Sequence, residues 1–142
     1  MPRFSKTSLE RLKTCHPLLQ QLMHKVILRT DITVLYGWRD LATQQELFKQ
    51  GKSQKDGIHK PSRHNYYPSL AVDVAPFPID WKDLRAFAAV AKIVQEEAEA
   101  LGIDIRWGGD WDRDGEWKDE KFLDMPHYEL VGAAVKYGSK LK

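Results

Sequence analysis

The sequence predicts a small α+β domain in which an antiparallel sheet of about four short strands packs with about three helices. Two patterns lead to this prediction. Apolar residues recur at steps of three and four in several segments, which is typical of helices that bury one face, and short β-branched or aromatic runs stand between them. The chain has 142 residues, a length typical of one domain with its own core, so we expect a single unit over residues 1–142.

The first half of the chain carries a helical N-terminal region, a strand and a further helix. A helix is expected from about Ser8, and a new one begins at Pro17, because proline suits the first turn of a helix better than its interior. The run Ile32–Tyr36 is typical of a strand, and a glycine ends it. Asp40 can cap a helix that runs to about Gln50.

The second half alternates loops and short strands around one long helix. Residues 51–69 are rich in Gly, Ser, Lys and His, a composition typical of a functional or mobile loop. A strand is expected over 70–75, and Asp80 can cap the clearest amphipathic helix, which ends before Gly102. The remaining expected elements are strands over 103–107 and 127–131 and an acidic loop over 108–121.

Charge and cysteine content exclude several classes of function. The 22 Lys and Arg residues nearly balance the 20 Asp and Glu residues, and the net charge of +2 does not indicate a nucleic-acid-binding protein. No apolar run approaches the roughly 18 residues of a membrane span, and the N-terminus lacks the apolar segment of a secretory signal. The single cysteine, Cys15, excludes an intramolecular disulfide and a thiolate zinc site. A zinc ion would therefore need histidine and carboxylate ligands.

Two of the five histidines stand in a context that favours metal binding. His64 lies near the end of the long loop, and Asp73 follows within an apolar strand, where an unpaired carboxylate is costly to bury. His127 opens the last expected strand. Two histidines and one aspartate would give zinc three protein ligands and leave a fourth position for water. The alternative is that Asp73 points to solvent, which the alternation along its strand also allows.

Several motifs resemble those of the M15 zinc peptidases. Segments 62–64 (Ser-Arg-His) and 71–73 (Ala-Val-Asp) are similar to the Ser-x-His and Ala-x-Asp motif of that family, and 124–127 (Asp-Met-Pro-His) is similar to its C-terminal motif. Segment 37–44 (Gly-Trp-Arg to Gln) resembles a further family segment, and 80–111 resembles the phage endolysin branch. The gap between the first histidine and the aspartate is about two residues longer than the commonest family spacing, which a loop can absorb.

The resemblance implies a fold and a set of residue roles. It implies a zinc peptidase domain of the LAS or hedgehog type whose metal ligands are His64, Asp73 and His127. Asp124 corresponds to the general base that takes a proton from water, and Arg39 to an arginine that stabilises an oxyanion or holds a substrate carboxylate. From the residues alone, a turn-forming role for Asp124 and a surface salt bridge for Arg39 stay open.

Other residues near these motifs are candidates for contacts in the site. Ser62, Gln44 and Trp107 are expected to bind substrate, with a loop role for Ser62 and core packing for Trp107 as the alternatives. Glu129 shares a strand face with His127 and is a candidate partner of that ligand.

An acidic segment matches the beginning of a calcium-binding loop. Carboxylates stand at positions 1, 3 and 5 of the pattern and glycine at position 6, whereas Lys121 stands at position 12, where glutamate is usual. A calcium site and a solvated acidic hairpin are both consistent with this pattern. The candidate ligands are Asp110, Asp112, Asp114 and Glu116, with Asp119 and Glu120 as substitutes for the ligand at position 12.

The resemblance further implies a zinc-dependent peptidoglycan hydrolase. The expected reaction is cleavage of the L-alanyl–D-glutamate bond of the stem peptide by a monomeric phage endolysin during host lysis. A D-Ala–D-Ala carboxypeptidase of the same family and a non-catalytic wall-binding or tail protein on this fold are the alternatives. We expect synthesis in the host cytoplasm without a signal peptide and action at the wall, in the periplasm, after holin-dependent release. Neither nucleic acid nor a membrane is an expected partner.

Overall fold

The structure, a computed structural model, describes residues 2–118 and 123–142. The α-helices of this part are α1 (Lys6–Leu12), α2 (Pro17–Val26), α3 (Leu41–Lys49) and α4 (Leu84–Leu101). The strands are β1 (Ile32–Tyr36), β2 (Tyr66–Tyr67), β3 (Ala71–Pro76), β4 (Ile105–Trp107), β5 (His127–Leu130) and β6 (Lys140–Leu141). Short 3-10 turns lie at Arg63–Asn65 and Ala134–Tyr137.

The main sheet is antiparallel throughout and has the strand order β1-β3-β5-β4. β3 lies inside this sheet, and its residues from Ala71 to Ala75 are all buried. The register places Asp73 opposite His127 on one side and opposite Tyr36 on the other. β2 and β6 form a separate two-stranded sheet. The pairing therefore brings two of the proposed ligands, far apart in sequence, to adjacent positions in space.

The apolar core lies between the helices and the main sheet. α4 packs against α2, β3 and β4, while α1 packs against β1. The buried face of α4 repeats at the helical period and includes Phe87, Val90, Ala91, Val94 and Ala98. Within the part of the chain that the structure describes, no helix combines the length and apolar character needed to cross a membrane. The core therefore supports the strands β3 and β5, which carry Asp73 and His127.

The predicted α+β class is confirmed, and one predicted helix cap is wrong. The Asp40 carboxylate accepts a hydrogen bond from the Thr43 amide and caps α3 as expected. The long helix α4 begins later than predicted, and its cap is Asp83, whose carboxylate accepts from the Ala86 amide. Asp80 lies in the turn before it. Aspartate is a favourable N-cap at either position, and the geometry of the turn before α4 determines which of the two caps the helix.

The segment 51–69 is less irregular than its composition predicts. A 3-10 turn and strand β2 lie within it, and β2 pairs with β6, so His127–Leu130 is not the last strand. Both added strands contain two residues, which is too short for an alternating pattern to reveal. The four helices of the described residues correspond to the four segments expected one by one, including the new helix at Pro17, and exceed only the rough total of three.

Candidate metal centre and cleft

Three buried side chains meet at one point in the sheet. His64 Nε2 lies 3.0 Å from Asp73 Oδ1 and 3.3 Å from His127 Nδ1, and His127 Nδ1 lies 3.2 Å from the same oxygen. Ligands about 2.0–2.1 Å from a tetrahedral zinc stand roughly 3.3 Å apart, so these separations fit one shared ion. The structure thus brings the predicted ligands together, and the alternative that Asp73 points to solvent is wrong because the residue is buried.

The ligands come from two paired strands and one capped turn. Asp73 lies in β3, and His127 is the first residue of β5, opposite it. His64 lies in the 3-10 turn, whose backbone is held by Ser62: the Ser62 hydroxyl accepts from the His64 amide, and the Ser62 amide donates to the Asn65 side chain. Ser62 is therefore a loop-forming residue that also lines the cleft.

Each histidine is oriented by a partner behind it. His64 Nδ1 lies 2.7 Å from the Gly37 carbonyl oxygen, and His127 Nε2 lies 2.8 Å from Glu129 Oε1. Each ring donates its outer N–H to that acceptor, which fixes the ring so that its other nitrogen faces the shared point, as in metal-binding histidines. Arg106 lies 3.3 Å from the other oxygen of Glu129 and balances its charge.

Arg39 binds the second carboxylate oxygen of Asp73. Its Nη2 donates to Asp73 Oδ2 at 2.7 Å, Nη1 donates to Gln44 Oε1 at 3.3 Å, and the guanidinium lies 4.4 Å from the centre of the Tyr36 ring. The ion pair is buried rather than on the surface, so the surface salt bridge left open by the sequence is wrong. Asp73 is thereby fixed with one oxygen free to face the two histidines.

Two residues expected to contact substrate lie behind the site instead. Gln44 is fully buried and donates to the segment 53–55 as well as accepting from Arg39. Trp107 is buried in the core, and its indole N–H donates to a backbone carbonyl. Neither lines the cleft, because the chain itself uses their polar atoms and covers their surfaces. Trp111 does line it.

Asp124 lies beside the centre without joining it. Its Oδ2 is 3.9 Å from His127 Nδ1, and its carbonyl accepts from the His127 amide in a turn. The Asp124 amide donates to the Gly108 carbonyl, and a side chain at Gly108 would overlap Asp124. Burial, and then the negative charge of Asp73, raise the pKa of Asp124 to about 6. The residue both forms the turn and presents a carboxylate suited to proton exchange near neutral pH.

The centre favours a positive charge at its middle. Burial opposes a charge on His127, but hydrogen bonds to Asp73 and Glu129 outweigh that cost and raise its pKa to about 10. A divalent cation shared by the three ligands would supply the same compensation for the buried carboxylate of Asp73.

A second group of carboxylates lies in the acidic segment. Ligand oxygens of Asp110, Asp112 and Asp114 lie within 4.8 Å of one another, and Asp110 accepts from the amide of Gly115. Glu116 is not part of this group of described residues. Asp119, Glu120 and Lys121, which bear on the ligand at position 12, lie outside the described residues. Calcium binding here stays a prediction.

The centre opens into a cleft of about 1440 Å³. This volume exceeds the roughly 300–1,000 Å³ typical of sites for small ligands. Basic, aromatic and acidic side chains share its lining, among them Arg11, Lys52, Lys55, Trp38, Trp81, Trp111, Asp124 and Glu129.

An α+β domain with a buried histidine, aspartate and histidine group at an open cleft is typical of metal-dependent hydrolases. The sequence pattern of the phage L-alanyl-D-glutamate peptidases matches residues 1–131. The chain belongs to that family.

Similar proteins are known from phage and from bacteria. The chain is 34% identical over 137 residues to the L-alanyl-D-glutamate peptidase of Escherichia phage T5, covering 91% of this chain and 98% of that protein. It is 31% identical over 114 residues to the peptidoglycan L-alanyl-D-glutamate endopeptidase CwlK of Bacillus subtilis (strain 168), covering 71% of this chain and 61% of CwlK. The crystal structure of the Serratia marcescens L-Ala D-Glu endopeptidase ChiX matches with a TM-score of 0.72 at 28% identity, covering 95% of this chain and 93% of ChiX.

Proposed function

We propose that this chain is a metal-dependent endopeptidase that hydrolyses the L-alanyl–D-glutamate bond of peptidoglycan stem peptides. The observation that carries the proposal is the meeting of His64, Asp73 and His127 at one buried point with Asp124 beside them. Membership of the phage L-alanyl-D-glutamate peptidase family supports the choice of bond, and so do the names of the relatives from phage T5, Bacillus and Serratia.

Zinc is the metal that we propose for the centre. Two imidazole nitrogens and one carboxylate oxygen match its preferred ligands, and a set of three leaves a position for water. When bound, zinc lowers the pKa of a water molecule and polarises the scissile carbonyl. The chain orients the three proposed ligands in advance. Gly37 and Glu129 fix the two imidazole rings, and Arg39 binds the second oxygen of Asp73.

Asp124 is the proposed general base. Its carboxylate lies close to the centre yet stands 3.9 Å from His127 Nδ1, farther out than the three ligand atoms are from one another. From there it takes a proton from the attacking water and passes it to the amine of the departing D-glutamate. Arg39 is proposed to hold Asp73 and to add positive charge where the oxyanion develops.

Replacement of the base separates metal binding from catalysis. Asp124→Asn keeps the size of the side chain and removes its basicity, so we expect full zinc content and a rate of peptidoglycan cleavage lower by about 10²–10⁴-fold. Asp104→Asn, at an exposed carboxylate paired with Arg113, is the matched control and should cleave at the parental rate. A zinc-loaded Asp124→Asn protein with parental activity would rule out the assigned base.

In its biological role, we propose that the protein acts as an endolysin in phage lysis. The phage T5 relative and the phage family support this role. The protein would be made in the host cytoplasm and would reach the wall once a holin has opened the membrane. Expression in a bacterial host should leave the culture intact until the inner membrane is permeabilised, and should then lyse it within minutes. Lysis upon expression alone, with an intact membrane, would contradict the need for a holin.

A further inference from the structure

Trp81 presents one open aromatic face. It lies between β3 and α4, and 58% of its surface is exposed. Its ring stacks on Phe87 with centroids 5.6 Å apart and planes 23° apart, and Phe87 is only 2% exposed. The buried Phe87 ring therefore packs on one face of the indole and fixes its orientation. The opposite face of the indole does not contact Phe87. A large, rigid and exposed aromatic ring is typical of a binding surface.

The same tryptophan lines the cleft that contains the candidate metal centre. Trp81, Leu84 and Phe87 form part of its wall together with His64 and His127. Exposed polar groups, the carboxylates of Asp80 and Asp83, flank the indole in the chain. An exposed indole face that lines the cleft, next in sequence to carboxylates, suits a ligand that has both an apolar face and hydroxyl groups.

The proposed substrate carries such a group next to the scissile bond. In peptidoglycan the L-alanine of the stem peptide is joined through its amine to the lactyl group of an N-acetylated amino sugar. An enzyme that cuts after this alanine must accommodate the glycan one residue away from its catalytic centre. A pyranose ring exposes C–H groups on one face, and these pack against the electron-rich face of an indole.

We propose that Trp81 is the platform of a glycan subsite, on which a sugar of the strand that bears the scissile stem peptide stacks. This inference rests on the proposed function, since it takes peptidoglycan as the substrate. It predicts that the enzyme distinguishes peptides that are attached to glycan from peptides that are free.

The test compares two variants of the full chain on two substrates. Trp81→Ala removes the platform, and Phe77→Ala is its matched control, because Phe77 is 59% exposed in the same segment but does not line the cleft. The substrates are intact peptidoglycan and a free peptide that begins with L-Ala–D-Glu. We expect Trp81→Ala to lower kcat/KM on peptidoglycan by roughly 3- to 10-fold more than on the free peptide. Phe77→Ala should show equal ratios on both.

Binding of peptide-free glycan strands gives a readout that does not need catalysis. The parent should retain these strands in a sedimentation assay, and Trp81→Ala should retain them several-fold less, at an unchanged melting temperature. If the parent binds glycan but cleaves neither substrate, the proposed function fails while the subsite stands.

Three results would overturn the subsite itself. Equal losses of Trp81→Ala on both substrates would mean that the tryptophan shapes the metal centre. Parental behaviour of Trp81→Ala in the cleavage and binding assays would remove any role in recognition. Loss of binding to anionic lipid vesicles in both Trp81→Ala and Phe77→Ala, with parental glycan binding, would assign the exposed aromatic residues to a membrane surface instead.

Discussion

Glu129 illustrates how single residues behind the ligands define the centre. It accepts the outer N–H of His127 at 2.8 Å, and Arg106 lies 3.3 Å from its other oxygen. This chain of contacts fixes which nitrogen of His127 faces the proposed metal and keeps the ring electron-rich. On the other side of the centre, a backbone carbonyl, that of Gly37, does the same for His64.

Neutralising Glu129 should weaken metal binding without preventing folding. In Glu129→Gln the amide oxygen can still accept from His127, but its negative charge is lost, so we expect zinc affinity to fall by about tenfold, at the low end of the range for such partners. Competition with a chromophoric chelator measures the affinity. Glu96→Gln, at an exposed carboxylate paired with Arg29, should bind zinc like the parent. Equal affinity in both variants would contradict the role assigned to Glu129.

The proposed ligands and the partner Glu129 could be predicted from the sequence, whereas the contacts of Gly37 and Arg106 could not. His64, Asp73 and His127 stand in motifs whose residue types and spacing are recognisable. Gly37 acts through its carbonyl and Arg106 through a contact across two strands, and neither leaves a pattern in the sequence. Gln44 was misassigned for a related reason, since burial of a polar side chain depends on the loop folded over it.

Among the elements, the turn before β5 depends on a close approach of two backbone segments. The Gly108 carbonyl accepts from the Asp124 amide, and the Gly108 amide donates to the His127 carbonyl. A Cβ atom at position 108 would overlap the Asp124 carbonyl and crowd the side chains of Asp124 and His127. Only glycine allows this turn to lie so near the end of β4.

A methyl group at this position should therefore displace the proposed base and ligand together. We expect Gly108→Ala to lose about 1–3 kcal/mol of unfolding free energy and to bind zinc more weakly. Gly51→Ala provides a control of comparable instability, because Gly51 has a φ of 75° but open space around it. Denaturant unfolding and zinc titration of both variants measure the effect. Parental zinc affinity in Gly108→Ala would show that the turn is not required for the site.

The start of α4 offers a test of the corrected helix cap. The Asp83 carboxylate accepts from the Ala86 amide, whereas the Asp80 carboxylate accepts from the Lys82 amide in the preceding turn. Asp83→Ala should therefore cost about 1 kcal/mol of stability, and Asp80→Ala clearly less. Thermal unfolding of the two variants measures the difference. A larger loss in Asp80→Ala would restore the cap that the sequence predicted.

Elements with a long pattern were predictable, and those made by contacts between distant segments were not. The period of α4 and the β-branched run of β1 are visible in the sequence. β2 and β6 exist because residues 66–67 and 140–141 pair across most of the chain, and no local propensity records that pairing. The choice between Asp80 and Asp83 likewise depends on the geometry of a single turn.

At the scale of the whole molecule, the net charge is nearly balanced, but positive and negative side chains are distributed unevenly around the site. Lys52 and Lys55 from the segment 51–69 line the cleft, and so do Asp124 and Glu129 at and before β5. The cleft thus offers cations from one segment and carboxylates from another. Stem peptides carry carboxylates of their own, which the basic residues can attract.

The proposed function requires the buried histidine, aspartate and histidine centre for cleavage of the L-alanyl–D-glutamate bond. The most direct measurement is digestion of purified peptidoglycan by the zinc-loaded protein, with and without a chelator, followed by mass spectrometry of the released termini. We expect new N-terminal glutamate that disappears with chelator and returns with added zinc, and none from a His64→Ala variant. Release of free D-alanine, or cleavage that persists with chelator, would contradict the proposed function.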